Sequence, residues 1–208
     1  MDDTASRTTS PTPGTTPSTT PGTVGGAATT LRRLYFVRFA FAVVWAAVVL
    51  SMASHLGPLT GTLLVLYPLF DVAAAVVDAR ASRSRGATTG ALAGLYANMA
   101  VSLLTAVAVG FAATSGIPAV LRVWGTWAIV AGLIQLVVAV RRRRMGGQWP
   151  LIVSGAVSAL AGASFIAGAG AADPVLTGAA GYAVPGAVFF LISALRLGRA
   201  ARAEQLSA

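Results

Sequence analysis

Six stretches of the 208-residue chain are long and apolar enough to cross a lipid bilayer, and they limit the fold more than any other feature. A helix needs about 20 consecutive apolar residues to cross the hydrocarbon core. Strands cross it only in closed barrels, and these stretches lack the period-two alternation of barrel strands. The sequence therefore predicts an all-α integral membrane bundle of six transmembrane helices in three hairpins. The predicted spans are Leu34–Ser54, Leu59–Ala79, Ala91–Ala113, Ala119–Val140, Leu151–Ala171 and Val175–Leu195.

The composition narrows the chemistry that such a bundle supports. Charged residues make up 10% of the chain, against roughly a quarter in soluble domains. The chain has no cysteine, and His55 is its single histidine, so thiol catalysis and a metal site built from cysteines or histidines within one chain are excluded. The sequence also has no nucleophile elbow and no phosphate-binding loop. We therefore expect no enzymatic activity, no catalytic residues, no cofactor and no metal.

The two ends of the chain differ from the apolar region between them. Residues 1–30 are mostly Thr, Pro, Gly and Ser, with almost no large apolar side chain. Such a segment buries too little surface to offset the entropy lost on ordering. We expect a disordered cytoplasmic tail over 1–30, a six-helix transmembrane domain over 31–199 and a short cytoplasmic C-terminal tail over 200–208.

Arginine placement predicts the orientation, because cytoplasmic loops are enriched in basic residues. The loops after the first, third and fifth spans contain no arginine, which predicts a multi-pass membrane protein with both termini in the cytoplasm. The exclusive use of Arg over Lys, with many Ala, Gly and Val residues, indicates a GC-rich bacterial genome and hence the bacterial plasma membrane. This topology signal explains the net charge of +9 better than nucleic-acid binding does. The run Arg141, Arg142, Arg143 and Arg144 is also a candidate contact for anionic lipid headgroups. The basic clusters are Arg32, Arg33 and Arg38; Arg80, Arg83 and Arg85; Arg141–Arg144; and Arg196, Arg199 and Arg202.

The even-numbered spans share a spacing between an aromatic residue and a terminal arginine. The spacing is thirteen residues from Tyr67 to Arg80 and fourteen in the other two pairs, Trp127 to Arg141 and Tyr182 to Arg196. A three-fold repeat of helical hairpins explains this pattern. Chance matches among apolar, aromatic-flanked helices explain it as well, and the sequence leaves both interpretations open.

Small residues four positions apart occur in two of the predicted spans. They are Ser154, Ser158 and Gly162 in the fifth span and Gly90 and Gly94 in the third. Small residues at this spacing let two membrane helices approach closely. We expect these positions to pack against other helices of the same chain rather than to form a dimer face.

The region from the fourth span onward resembles a known family. Its features are the ending of the fourth span from Gly132 to Arg141, Trp149 at the start of the next, and Gly155 and Gly162 within it. This pattern resembles the HdeD-like acid-resistance family of small bacterial membrane proteins, over about a third of the chain. The resemblance implies a stress-associated membrane protein without known catalysis, and it transfers no catalytic residues.

Asp71 is the carboxylate that lies deepest within a predicted span, and such charges are functional candidates. It precedes Arg80 by nine residues, which places it ~13 Å from the cytoplasmic end of its helix. Arg38, Asn98 and Gln135 fall at similar depths, so the four residues form a candidate intramembrane polar site. Burial favours the protonated carboxyl, which suits a proton- or solute-responsive site. Pairing with Arg38 or Asn98 to fix helix packing explains the same residues, and both interpretations stay open.

Two functions therefore follow from the sequence. The first is a non-enzymatic role in stress response, as in acid resistance, or in membrane homeostasis. The alternative is a small proton- or solute-coupled transporter or channel that uses the polar site around Asp71. A cavity surrounded by the polar residues favours transport, whereas a dry, alanine-packed interior favours the first. Membrane lipids are the expected partners, and a homo-oligomer or an unidentified membrane partner stays open.

Overall fold

The computed structural model describes residues 21–84, 86–141 and 149–206, and these residues form six α-helices without strands. The prediction of an all-α membrane bundle is confirmed. The helices are α1 Pro21–Ser51, α2 Pro58–Ser84, α3 Thr89–Ala113, α4 Ile117–Arg141, α5 Trp149–Gly168 and α6 Thr177–Leu206.

Five helices contain segments that meet the length and composition of a membrane span. The helix α5 is shorter, with an apolar segment over Ile152–Gly168. Its 20 residues nevertheless extend ~30 Å at 1.5 Å per residue, which equals the thickness of the hydrocarbon core. The five segments are Thr29–Ser51, Pro58–Ser84, Thr89–Ala113, Ile117–Val137 and Thr177–Arg199.

Two boundaries differ from those expected from composition. The helix α1 begins at Pro21, so residues 21–30 are helical rather than part of a disordered tail. Adding a residue to an existing helix is easier than nucleating one, and proline suits a first helical turn. The helix α6 likewise continues through residue 200 to Leu206. Residues 1–20 of the expected tail lie outside the described part of the chain.

The six helices close into a ring of three hairpins. The most extensive packing joins α2 to α3, α4 to α5 and α6 to α1. The second helix of each hairpin therefore packs on the first helix of the next more extensively than on its own partner. Within the hairpins the packing is less extensive, and it is least extensive between α5 and α6.

An aromatic cluster fills the centre of the bundle. Trp45 stacks on Trp124 with a centroid distance of 5.3 Å, and Trp127 packs edge-on against Trp124 at 5.4 Å. Tyr67 contacts all three rings. We call the end that carries Arg80 and Arg196 the basic end. From the aromatic cluster to the opposite end, buried side chains fill the bundle.

Glycines bring α4 and α5 into direct backbone contact. A Cβ atom placed on Gly125 would lie 2.5 Å from the carbonyl oxygen of Gly162, and one on Gly155 would lie 2.7 Å from that of Gly132. Each helix thus presents two glycines seven residues apart. The prediction of close packing holds for Gly162. A Cβ atom on Gly94 of α3 would meet nothing within 4 Å, so no close approach requires that glycine.

The glycine contact predicts that the same glycine-to-alanine substitution affects stability differently at two positions. Gly162→Ala should destabilise the protein by about 1–3 kcal/mol, because the added methyl group overlaps α4. Gly94→Ala, the control, should leave stability unchanged or raise it by up to about 1 kcal/mol through helix propensity. Thermal unfolding in detergent measures both variants. Equal melting temperatures for the two would show that α4 and α5 do not touch at Gly162.

Candidate functional site

The carboxylate of Asp71 accepts three hydrogen bonds from two neighbouring helices. The Arg38 Nη2 atom of α1 donates to Oδ1 at 2.5 Å. From α3, the Asn98 Nδ2 atom and the Ser102 hydroxyl donate to Oδ2 at 2.7 and 2.9 Å. Both carboxylate oxygens are therefore satisfied. The structure brings together Arg38, Asp71 and Asn98 of the predicted site and adds Ser102.

Burial makes this cluster a strong constraint on the bundle. The side chains of Arg38 and Asp71 are 15% and 13% exposed, and Ser102 is fully buried. Moving each charge out of water costs several kcal/mol, which the ion pair and the added hydrogen bonds must offset. It is the one ion pair found among the described residues. Loss of one charge would leave the other unpaired within the membrane.

A second contact fixes the guanidinium of Arg38 from the side of α6. Its central carbon lies 4.1 Å from the centroid of the Phe190 ring, a cation–π distance. Phe190 in turn stacks on Tyr35 of α1 at 6.2 Å. Through Arg38 and Asp71 the cluster therefore links α1, α2, α3 and α6.

A cavity of about 460 Å³ adjoins the Arg38–Asp71 pair. It lies at the centre of the bundle and extends toward the basic end. Its volume falls within the range of small-molecule sites, roughly 300–1,000 Å³. All four residues of the predicted polar site line it, and every helix contributes to its wall. The polar residues of the lining include Arg38, Asp71, Asn98, Gln135, Ser154, Ser158 and Ser193.

Aromatic side chains form much of the rest of the wall. Tyr67 and Trp127 connect it to the central aromatic cluster. On the other side, the hydroxyl groups of Tyr182 and Ser158 are hydrogen-bonded at 2.6 Å, joining α6 to α5. The aromatic lining comprises Tyr35, Phe41, Tyr67, Phe70, Trp127, Tyr182, Phe189 and Phe190. The site therefore combines flat apolar surfaces with a few polar groups, as sites for small organic molecules do.

Sequence reasoning missed two parts of the site although each has a signal in the sequence. Ser102 lies four residues after Asn98, which places both on one helix face. Tyr67, Trp127 and Tyr182, the aromatic residues of the repeat-like spacing, all line the cavity. Their common position marks the centre of the bundle.

Of the four arginines predicted to contact lipid headgroups, one lies among the described residues. Arg141 is the last residue of α4, at the basic end. Arg142, Arg143 and Arg144 lie outside the described residues. Their predicted contact with anionic headgroups stays a prediction.

Comparisons with protein-family models, with curated proteins and with solved structures found no match. The resemblance to the HdeD-like family therefore stays a prediction. The function has to be inferred from the geometry of the cavity and of the polar cluster.

The ion pair predicts a large stability loss when only one partner changes. Asp71→Asn should destabilise the protein by about 3–5 kcal/mol, because Arg38 keeps its charge without a counter-ion. The double variant with Arg38→Gln should recover most of this loss, since the energy resides in the pair. Thermal unfolding of the two single variants and the double variant measures the coupling.

Asp78→Asn provides the matched control on the same helix. The Asp78 carboxylate accepts a hydrogen bond from the Ser82 hydroxyl at 3.1 Å and forms no ion pair within the described residues. This variant should change stability by less than about 1 kcal/mol. Wild-type stability of Asp71→Asn, or a double variant as unstable as both single changes added together, would contradict the coupled pair.

Proposed function

We propose that this protein is a small membrane carrier that binds an organic molecule in the central cavity. The observation that supports the proposal is the position of Arg38, Asp71, Asn98 and Gln135 on the wall of one cavity within the membrane-spanning bundle. Transporters place their sites near the membrane midplane and build them from convergent polar groups.

The two halves of the bundle fit the needs of a carrier. Buried side chains close the half opposite the basic end, whereas the cavity occupies the centre and extends toward the basic end. Carriers also use interrupted helices beside their sites. Pro68 in α2 and Pro185 in α6 each remove one backbone hydrogen bond from a helix that lines the cavity.

The Arg38–Asp71 pair supplies hydrogen-bond donors for a ligand. The guanidinium of Arg38 lies on the cavity wall and carries further N–H donors besides the one from which Asp71 accepts a hydrogen bond. A ligand would accept hydrogen bonds from Arg38 while the ion pair stays intact. Ligand binding would thereby depend on the partner that holds the guanidinium in place.

The arginine distribution supports an orientation with the basic end at the cytoplasmic side of a bacterial plasma membrane, with lipids as partners. The family resemblance supports a stress-associated, non-enzymatic role, which a carrier is able to fill.

Binding is tested with the purified protein in lipid nanodiscs and three aromatic probes: neutral 1-naphthol, cationic ethidium and anionic 2-naphthoate. Trp127 lines the cavity, so a bound probe should quench tryptophan fluorescence saturably. Ala131→Phe fills the cavity and should weaken binding at least tenfold. The neighbouring Val130→Phe, outside the cavity lining, should leave binding unchanged.

Uptake of the bound probe into proteoliposomes then separates a carrier from a protein that only binds. We expect uptake that depends on Asp71 and is abolished by Ala131→Phe. Quenching that does not saturate for any probe, or that is unchanged in Ala131→Phe, would contradict a ligand site in the cavity. Saturable binding without uptake would contradict the carrier function.

A further inference from the structure

We propose that the ligand is a neutral aromatic molecule dissolved in the membrane, and that it enters the cavity sideways between α5 and α6. This inference rests on the proposed ligand-binding function and adds a route and a class of ligand.

The boundary between α5 and α6 is the weakest in the ring. The two helices follow each other in the chain, yet they touch at few points, whereas α4 with α5 and α6 with α1 pack extensively. The contacts that join α5 to α6 include those of Tyr182 with Ser158 and of Phe165 with Tyr182 and Gly178. The Tyr182 hydroxyl is hydrogen-bonded to that of Ser158, and the Tyr182 ring packs edge-on against Phe165 at 5.8 Å. We call the Ser158–Tyr182 hydrogen bond the latch.

From the latch toward the basic end, the side chains at the boundary between α5 and α6 do not fill the space between the two helices. They form part of the cavity wall instead. Ser154 and Val157 of α5 and Pro185, Gly186 and Phe189 of α6 all belong to the cavity wall. The cavity therefore extends into the gap between the two helices. Because α6 meets the criteria of a membrane span and α5 is long enough to cross the hydrocarbon core, the gap would face lipid.

The helix α6 is suited to open this gap. Pro185 has no N–H group to bond the carbonyl oxygen of Gly181, and Gly186 follows it directly. Proline and glycine are the usual places where a helix bends. The glycine contact holds α5 against α4. Opening therefore requires a bend of α6 near Pro185 and rupture of the latch.

The charges of the wall select a neutral ligand. The one cation and the one anion of the described lining, Arg38 and Asp71, are already paired. A charged ligand would add an uncompensated charge in a medium of low dielectric constant. The remaining wall offers hydroxyl groups, amides and aromatic rings, which suit an aromatic molecule with one or two hydrogen-bonding groups. Such molecules also partition into the bilayer, from which the gap is reached.

The route is tested by closing the gap chemically. The chain has no cysteine, so Ser158→Cys with Tyr182→Cys can be bridged selectively by a bifunctional methanethiosulfonate reagent and released with a reductant. The control bridges α2 to α3 through Gly61→Cys and Ala113→Cys. The Cβ atoms there lie 3.6 Å apart, a distance that a disulfide accepts. The probe is 1-naphthol in nanodiscs, and stopped-flow tryptophan quenching gives its association rate.

Bridging the gap should slow association of 1-naphthol at least tenfold relative to the unbridged double-cysteine variant. Reduction of the bridge should restore the association rate of that variant. The bridged control should bind at the unbridged rate. Tyr182→Phe, which removes only the latch, should associate about fivefold faster, the factor expected for one hydrogen bond. These results would support lateral entry.

Two other outcomes separate the proposals. Binding that proceeds at full rate through the bridged gap, with no acceleration in Tyr182→Phe, would overturn lateral entry and leave the ligand site standing. Saturable binding of ethidium or 2-naphthoate in place of 1-naphthol would overturn the neutral class alone. Absence of saturable binding by every probe to the unmodified protein would overturn the proposed function, and this inference with it.

Discussion

The buried carboxylate of Asp71 is the constraint on which the arrangement of the bundle depends. An ionised group in the membrane requires partners, and here they come from both neighbouring helices: Arg38 of α1, and Asn98 and Ser102 of α3. The stacking of Arg38 on Phe190 extends this network to α6. Apolar residues at these positions would avoid the free-energy cost of moving two charges out of water. The position of the charges beside a cavity supports the proposed binding function.

Two kinds of packing surround this polar centre. Glycine contacts between α4 and α5 allow backbone atoms to touch, which leaves little freedom to move. Between α5 and α6, packing is sparse and includes one hydrogen bond and one pair of rings, and the side chains beyond these line the cavity. A ring with one weak boundary can open there while the rest of its packing persists. This difference makes the boundary between α5 and α6 the part of the proposed carrier that would move.

The sequence predicted the helices well because membrane spans depend mainly on length and apolarity. Helix ends were less predictable, since α1 extends to Pro21 through residues of low apolarity. The polar residues of the site were predicted only from their similar depths along the predicted membrane spans. Ser102 was missed because its only signal is its spacing of four residues from Asn98, which places both on one helix face. The cavity was not predictable, since it depends on how far α5 and α6 separate, and periodicity within one helix does not specify that distance.

A solvent- or ligand-accessible cavity lies beside a packed core within one membrane bundle. Cysteine reactivity in this cysteine-free chain tests the claim most directly. Ala131 lines the cavity, whereas Ala128, one turn away on α4, is 1% exposed in the core. In nanodiscs, Ala131→Cys should react with N-ethylmaleimide while Ala128→Cys stays unmodified. Equal inertness of the two cysteines in folded protein would show that the cavity does not exist.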